Sequence, residues 1–116
     1  MARELLRFIL LYNYALRGEL LSKVILQGHI VVPDTDLVIV KSELITHKKL
    51  TEQEVGCLIF EVTQDSTNIN VFSVYEEFVD QQAFDYHQKR VKNSTWGKVT
   101  DNVQRHYQIS YGVQST

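Results

Sequence analysis

The alternation of hydrophobic and polar positions predicts four β-strands, at Lys23–Val32, Cys57–Gln64, Val71–Phe78 and Gln104–Tyr111. Val71–Phe78 is rich in β-branched and aromatic residues, and both sides of its pleat carry apolar groups. The polar segment Asp65–Asn70 connects it to the strand before it. These two strands are therefore expected to form a hairpin.

Two amphipathic helices are predicted between the strands, each with a histidine on its apolar side. The apolar stripe of the first helix consists of Leu37, Val40, Leu44 and His47, after Asp34 or Asp36 as the N-cap. The stripe of the second helix consists of Phe84, His87 and Val91, after the N-cap Asp80 and before an end near Asn93. Both histidines are therefore expected to face the sheet.

Two connecting segments have weaker patterns. Thr51 and Glu54 have the spacing of a capping box, which predicts a short helical turn before Gly56. Ser94–Val103 has little periodicity and is predicted to be an irregular or short helical connection.

From Lys23 onwards, the predicted order is strand, helix, strand, strand, helix, strand. This order is typical of a ferredoxin-like α+β protomer, in which both helices cover one face of an antiparallel sheet. Residues 23–111 are therefore expected to form a single domain, followed by a tail at residues 112–116.

The second face of the predicted sheet also requires cover. On the second strand, Leu58, Phe60 and Val62 alternate with Cys57 and Ile59, so both sides are largely apolar. Either a partner sheet packs on this face and gives a homodimer, or the N-terminal extension folds over it. We favour the homodimer.

Residues 1–22 form an N-terminal extension whose apolar block is flanked by arginines. The block is shorter than the roughly 20 residues of a membrane span, Asn13 interrupts it, and no cleavage site of small residues precedes Lys23. No membrane partner or export signal is therefore predicted. The extension is expected to be an extra helix, or upstream sequence outside a native product that starts near Leu21 or Ser22.

Composition excludes several classes of function. The 116 residues, 44% of them hydrophobic, suit one domain, and 12 basic against 14 acidic residues give a net charge of −2, which does not support binding of nucleic acid. Cys57 is the only cysteine, so no internal disulfide forms and a reducing, cytoplasmic location is predicted. No nucleophile elbow, P-loop or dinucleotide fingerprint is present, which argues against serine hydrolase, kinase and nicotinamide chemistry.

The histidines are the main candidates for chemistry. His87 and His47 are the predicted catalytic residues, because a buried neutral imidazole can act as a general base, although either could instead be a hydrogen-bonded core residue. No HxH or HxxxH spacing places two histidines on one element, so no metal site is predicted.

Four further residues are candidates for binding a substrate. Trp96 either packs as a lid on the core or walls an apolar pocket and donates its indole N–H. Tyr75, on the third strand, is likewise either a core residue or a residue of the pocket. Arg90 either meets an anionic group or is solvated, and His29 on the first strand is the remaining candidate.

Several motifs resemble those of the antibiotic biosynthesis monooxygenase family, and the resemblance covers Lys23 to about Ile109. They are Glu-x-Gly-Cys in the run TEQEVGCLIFEVTQ, Tyr-Glu in VFSVYEEF, and Ala-Phe-x-x-His in AFDYHQKR, which is followed by STW. The histidine of Ala-Phe-x-x-His matches His87, and the histidine late in the first helix of some members resembles His47. Haem-degrading members carry their iron ligand after the second helix, whereas Ser94–Val103 contains no histidine.

The resemblance implies a ferredoxin-like protomer that pairs into a dimeric α/β barrel. It also implies oxidation of a quinol or polycyclic phenol by molecular oxygen without a cofactor. The alternatives are an isomerase of a phosphorylated sugar, with Arg90, Lys89 or Arg105 as the basic groups, and a non-catalytic dimer that binds a small molecule.

Overall fold

The computed structural model describes Leu5, Leu6, Ile9 and residues 22–112. Its one sheet is antiparallel, in the order β2-β3-β1-β4, and consists of β1 (Lys23–Val31), β2 (Cys57–Gln64), β3 (Val71–Phe78) and β4 (Gln104–Gly112). The helices are α1 (Leu37–Glu52), α2 (Gln81–Lys92) and the short α3 (Thr95–Val99), and a 3-10 turn at Asp34–Asp36 precedes α1. The predicted ferredoxin-like α+β fold is confirmed.

The core lies between the helices and one face of the sheet. Its buried apolar side chains are Val24, Leu26, Ile30, Val32, Val40, Phe72, Val74, Phe78, Phe84, Trp96 and Val103. His47 on α1 and His87 on α2 are also buried, as their positions on the apolar stripes predicted.

Only one of the two predicted helix caps forms through a side chain. Asp80 Oδ1 accepts a hydrogen bond of 2.8 Å from the backbone N–H of Ala83 and begins α2 as expected. Asp36 occupies the N-cap position of α1, but its side chain makes no capping hydrogen bond. The chain enters α1 through the 3-10 turn, where Asp36 N–H donates to the carbonyl of Pro33.

The predicted capping box at Thr51 and Glu54 is wrong. Thr51 is buried within the last turn of α1, and the backbone N–H of Glu54 donates to the Thr51 carbonyl rather than to its hydroxyl. The Thr51 hydroxyl instead accepts a hydrogen bond from Arg90. Thr51 and Glu54 therefore lie at the end of a helix rather than at the start of one. Their side chains contact α2, and the local spacing does not indicate this.

A β-bulge in β2 changes which side of the sheet its first residues face, compared with the predicted alternation. The pairing with β3 shifts between Cys57 and Ile59, so Leu58 is displaced from the row of Phe60 and Val62 and is 52% exposed. The predicted alternation, which placed Leu58 on the same side as Phe60 and Val62, is therefore wrong for Leu58.

The helix-free face of the sheet is mixed rather than largely apolar. Lys23 Nζ lies 3.5 Å from Glu77 Oε2, and the Tyr75 hydroxyl donates a 2.6 Å hydrogen bond to Glu77 Oε1. His29 stacks on His106 with ring centroids 4.7 Å apart. Polar pairs thus interrupt the apolar positions of this face.

The predicted extension at residues 1–22 is described only at Leu5, Leu6, Ile9 and Ser22, and its proposed cover over the sheet lies outside the described residues, as do residues 113–116 of the tail. Leu5, Leu6 and Ile9 are exposed. In the part of the chain that the structure describes, no helix has the length and apolar character to cross a membrane. The cytoplasmic location stays a prediction.

Candidate active site

His87 lies between two buried carboxylates. Its Nδ1 is 3.1 Å from both carboxylate oxygens of Glu54, and its Nε2 is 3.3 Å from Oε1 of Glu76. The fold sets this geometry, because β3 alternates and turns Glu76 towards the helices, while Glu54 follows the end of α1. An imidazole is therefore held at both nitrogens by acidic groups.

Arg90 completes the array on the side of Glu54. Its Nε donates to Glu54 Oε1, and its NH2 group donates to the Thr51 hydroxyl at 3.0 Å. Arg90 is the last-turn neighbour of His87 on α2, so one helix supplies both partners of Glu54. The guanidinium offsets the charge of Glu54, whereas no arginine or lysine of the described residues forms an ion pair with Glu76.

The contact between His87 and Glu76 is poised to take up a proton. If Nδ1–H donates to Glu54, a neutral ring presents the lone pair of Nε2 to Oε1 of Glu76. The two atoms are close but do not have hydrogen-bond geometry, and Oε1 has no hydrogen-bond partner. A proton arriving between them would convert a repulsive contact into a charge-assisted hydrogen bond.

His47 lies beside this array in an aromatic cluster. Its ring stacks on Trp96 with centroids 4.6 Å apart and planes 3° from parallel, and the centroid of His87 is 6.0 Å away. Burial is the largest cause that lowers the pKa of His47 to about 3, followed by the charge of His87 whenever that ring is protonated and by the charges of Arg90 and Arg105. His47 is therefore neutral at pH 7.

α3 positions Trp96 over His47. The side chain of Ser94 caps this short helix by accepting a 3.1 Å hydrogen bond from the backbone N–H of Gly97. The Thr100 hydroxyl donates to the Trp96 carbonyl at 2.6 Å and closes the other end. The indole is thus fixed on both sides.

A small cavity of about 20 Å³ adjoins Glu76 and His47. Trp96, Phe60, Val74 and Tyr107 are among its other lining residues. Nδ1 of His47 and Oε1 of Glu76 are both buried without a hydrogen-bond partner. This volume accommodates one water molecule or one hydroxyl group, and two unpartnered polar atoms suit such an occupant.

Tyr107 connects the cavity to an exposed row on β4. Burial, followed by the charge of Glu76, raises the pKa of Tyr107 to about 12, so its phenol stays protonated at pH 7. Residues two and four positions further along β4 are Ile109 and Tyr111, which share its side of the strand. Their exposed fractions of 49% and 60% make this row an open apolar surface beside the cavity.

A larger groove of about 700 Å³ lies on the other side of His87. Apolar residues of the α1 end and α2 form most of its walls, among them Leu50, Val55, Ala83 and Tyr86. Glu54 and Arg90 also line it. The array of acidic groups and imidazole therefore extends from the internal cavity at Glu76 to the groove at Glu54.

Cys57, near the groove, has no sign of an activated thiol. Burial, followed by the charges of Glu54, Glu76 and Glu52, raises its pKa to about 11. Its sulfur contacts the carbonyl of Ile59 at 3.8 Å. The thiol is therefore protonated at pH 7.

The fold brings four of the six predicted site residues together: His47, His87, Trp96 and Arg90. Arg90 is not available for an anionic ligand as predicted, because Glu54 and Thr51 engage it. The other two, Tyr75 and His29, lie on the helix-free face, so the sheet separates them from the cavity. The reason is the alternation of β3 and β1, which sends Tyr75 and His29 away from the helices.

Three residues that the sequence interpretation missed belong to the site: Glu54, Glu76 and Tyr107. Glu76 had a detectable signal, since it is a charged residue in line with Phe72, Val74 and Phe78 on the inner side of β3. Glu54 lies in a loop, and only the tertiary fold brings it to His87. Among the described residues, no group of three or more His, Cys, Asp or Glu side chains is arranged to hold a metal ion.

Solved structures share this fold at low sequence identity. A conserved protein of unknown function from Bacteroides thetaiotaomicron, described as a possible oxidoreductase, has a TM-score of 0.63 and 14% identity, over 78% of this chain and 98% of its own. A protein from Nitrosomonas europaea named as a candidate antibiotic biosynthesis monooxygenase has a TM-score of 0.65 and 14% identity, over 82% and 91%. One of the same name from Deinococcus radiodurans has a TM-score of 0.58 and 19% identity, over 80% and 93%.

No curated protein matches the chain significantly. The model of the antibiotic biosynthesis monooxygenase family matches residues 43–96, which extend from α1 to Trp96. This segment supplies Glu54, Glu76 and His87, together with His47 and Trp96. The resemblance predicted from the sequence is thereby confirmed, and residues 43–96 carry the match of this chain to the antibiotic biosynthesis monooxygenase family.

Proposed function

We propose that this chain is a monooxygenase that oxidises a quinol or polycyclic phenol with molecular oxygen and requires no cofactor. The observation that carries the proposal is the cavity in which Glu76 Oε1 and His47 Nδ1 are buried without partners. A phenolic hydroxyl fits a space of about 20 Å³, whereas an aromatic ring does not. The ring therefore packs outside the cavity, on the row of Tyr107, Ile109 and Tyr111.

Glu76 is the proposed proton acceptor in this mechanism. The substrate hydroxyl donates its proton to Oε1, and His87 shares that proton through Nε2, which makes the buried set of Arg90, Glu54, His87 and Glu76 neutral overall. The sequence predicted that His87 or His47 accepts this proton directly. In the folded protein, His87 faces carboxylates at both nitrogens, so it acts on the substrate through Glu76.

Deprotonation makes the substrate electron-rich enough to reduce oxygen. The anion transfers one electron to O2, the resulting radical and superoxide combine at the ring carbon to form a peroxide anion, and a proton converts this anion to a hydroperoxide. At a ring carbon that carries one hydrogen, loss of water from the hydroperoxide removes that hydrogen together with the outer oxygen and leaves a carbonyl, so one oxygen atom enters the product and the other leaves as water. Phe60 and Trp96 are buried in the lining of the cavity, where they shield the substrate hydroxyl and Glu76 from bulk water.

Glu76→Gln is the informative test of this proposal. The substitution keeps the shape of the side chain and removes its basicity, so we expect kcat for quinol-dependent oxygen uptake to fall by about 100-fold or more. An oxygen electrode measures the rate with a panel of quinols and polycyclic phenols. His87→Ala is less suitable, because it leaves two buried carboxylates without the ring and is expected to cost about 3–5 kcal/mol of stability.

Asp85→Asn is the matched control for this experiment. Asp85 is an exposed carboxylate on α2, the helix of His87, and it bonds to Gln81 rather than to the site. Its variant should retain wild-type oxygen uptake. Full activity in a folded Glu76→Gln protein would remove Glu76 from the mechanism, and thermal stabilisation by quinols without oxygen uptake would favour a non-catalytic binding protein.

The sugar-phosphate isomerase alternative, for which Arg90, Lys89 and Arg105 are the basic candidates, gains no support from the two arginines. Arg90 is engaged by Glu54 and Thr51, and Arg105 donates to the carbonyl and hydroxyl of Thr100. A phosphate would have to displace these partners. Neither arginine is therefore offered to an anionic ligand.

We also propose that two copies of the chain pair through the helix-free face of the sheet. Ile25, Val31, Val71 and Ile59 contribute apolar area to this face, and no helix covers it among the described residues. Sedimentation velocity at micromolar concentration should give the mass of a dimer. A single species with the mass of one chain would rule out this pairing.

A further inference from the structure

We infer that Glu76, His87 and Glu54 form a proton path that connects the internal cavity to water in the groove beside α2. The inference rests on the proposed function for the use of the path, but the path itself is a property of the protein without substrate. It assigns Glu54 a role in proton transfer, beyond holding the ring.

The path has two different ends. Glu76 lines the cavity and is 6% exposed, so a proton placed on it has no direct contact with bulk water. The Glu54 side chain is itself only 7% exposed, but it lines the groove, where Arg90 and the exposed side chains of Val55 and Tyr86 surround open space. Between them, His87 spans the interior of the protein with one nitrogen towards each carboxylate.

Each contact along the path is short enough for proton transfer with a small movement. Oε1 of Glu76 is 3.3 Å from Nε2, and Nδ1 is 3.1 Å from either oxygen of Glu54. An imidazole conducts a proton because one nitrogen accepts while the other donates. Transfer from Glu76 to Nε2 and from Nδ1 to Glu54 moves one proton from the cavity to the groove without leaving a net charge on the ring.

The proposed reaction uses the path in both directions. The substrate hydroxyl loses a proton in the first step, and this proton leaves through Glu76, His87 and Glu54. The peroxide anion later requires a proton to become the hydroperoxide, and this proton returns along the same path. The second transfer restores the original tautomer of His87, so protons and ring state balance over one turnover.

Arg90 holds Glu54 at the end of the path. Its guanidinium donates to Glu54 Oε1, so the carboxylate stays beside Nδ1 of His87. Thr51 holds the guanidinium in place from α1. Arg90 and Thr51 are thus positioning residues for the exit of the path.

Exchange of the His87 ring proton with water tests the path without a substrate. In protein labelled with ¹⁵N-histidine, NMR measures how fast the Nδ1 proton of His87 exchanges with solvent. We expect Glu54→Gln to slow this exchange by at least about tenfold, because an amide cannot accept the proton and release it to the groove. Glu54→Asp keeps the charge but withdraws the carboxylate, and it should slow exchange as well.

Gln82→Ala is the control, since Gln82 lines the same groove without belonging to the path. Its exchange rate should equal that of the wild type. Equal rates in the wild type, Glu54→Gln and Glu54→Asp would overturn the inference. If quinols support oxygen uptake, Glu54→Gln should also lower kcat without raising KM, whereas absence of uptake in the wild type would refute only the proposed function and leave the exchange result intact.

Discussion

Gly28→Ala is expected to destabilise the protein by at least about 3 kcal/mol, which is a large part of the stability of a domain of this size. Gly28 lies in the middle of β1 with a φ of +154°, a conformation that residues with a side chain rarely adopt. A Cβ at this position would lie 1.9 Å from the carbonyl oxygen of His106 on β4. Since that neighbour is backbone, relief of the clash would require β1 and β4 to separate.

Urea unfolding followed by circular dichroism measures this effect, and Gly112→Ala provides the comparison. A Cβ at Gly112 would lie 3.3 Å from the end of the Ile25 side chain, which can move aside, and 3.9 Å from Cβ of Lys23, an ordinary contact distance. This variant should differ from the wild type by less than about 1 kcal/mol. Similar unfolding midpoints for the two variants would show that the approach of β4 to Gly28 is not as close as described.

Acidification below pH 6.5 is expected to destabilise the protein strongly through His47. Its pKa is about 3 in the folded protein and 6.5 as a free side chain, so between these values the unfolded chain binds a proton that the native state excludes. The free energy of unfolding therefore falls as the pH is lowered from 6.5 towards 3. The loss approaches 1.4 kcal/mol per pH unit and totals roughly 3–5 kcal/mol.

His47→Phe isolates this contribution, because it keeps an aromatic ring beside Trp96 and removes the titration. Urea unfolding of both proteins from pH 7 to pH 4 gives two curves of stability against pH. Below pH 6, the free energy of unfolding of the wild type should fall more steeply than that of the variant. The difference in slope should correspond to about one additional proton bound on unfolding. Parallel curves would mean that His47 is protonated in the native state.

The regular parts of the fold were accessible from sequence because they depend on local periodicity. β2 and β3 were predicted at their observed bounds, and Asp80 was correctly placed as the cap of α2. A strand pattern fixes which residues alternate, and a helical stripe fixes which side faces the sheet. The inward positions of His47 and His87 followed from the same reasoning.

The predictions are wrong where contacts with residues distant in sequence determine the orientation of a side chain. A bulge in the pairing with β3 determines the position of Leu58, and no residue of β2 indicates that a bulge is present. Thr51 and Glu54 have the spacing of a local cap, yet contacts with Arg90 and His87 on α2 determine their orientation. Tertiary contacts of this kind lie outside any short window of sequence.

The composition of the site shows the same division. The sequence predicts a substrate-binding role for Tyr75 and none for Glu76. The two residues are adjacent and point to opposite faces of β3. Tyr75 is a residue type that is common in ligand pockets, but it lies on the face away from the helices. Glu76 lies on the inner face, where the cavity is. A buried acidic residue within an apolar row is therefore a better indicator of this site than an aromatic residue next to it.

The bulge in β2 also affects how chains of this protein meet one another. β2 is an edge strand, and its unpaired backbone groups are a potential template for a strand from another chain. The displacement at Leu58 breaks the regular spacing of these groups, and Glu61 adds a charge further along the strand. An incoming strand would find only short stretches with matching register, which protects this edge from growth into larger sheet aggregates and leaves the broad face as the better surface for association.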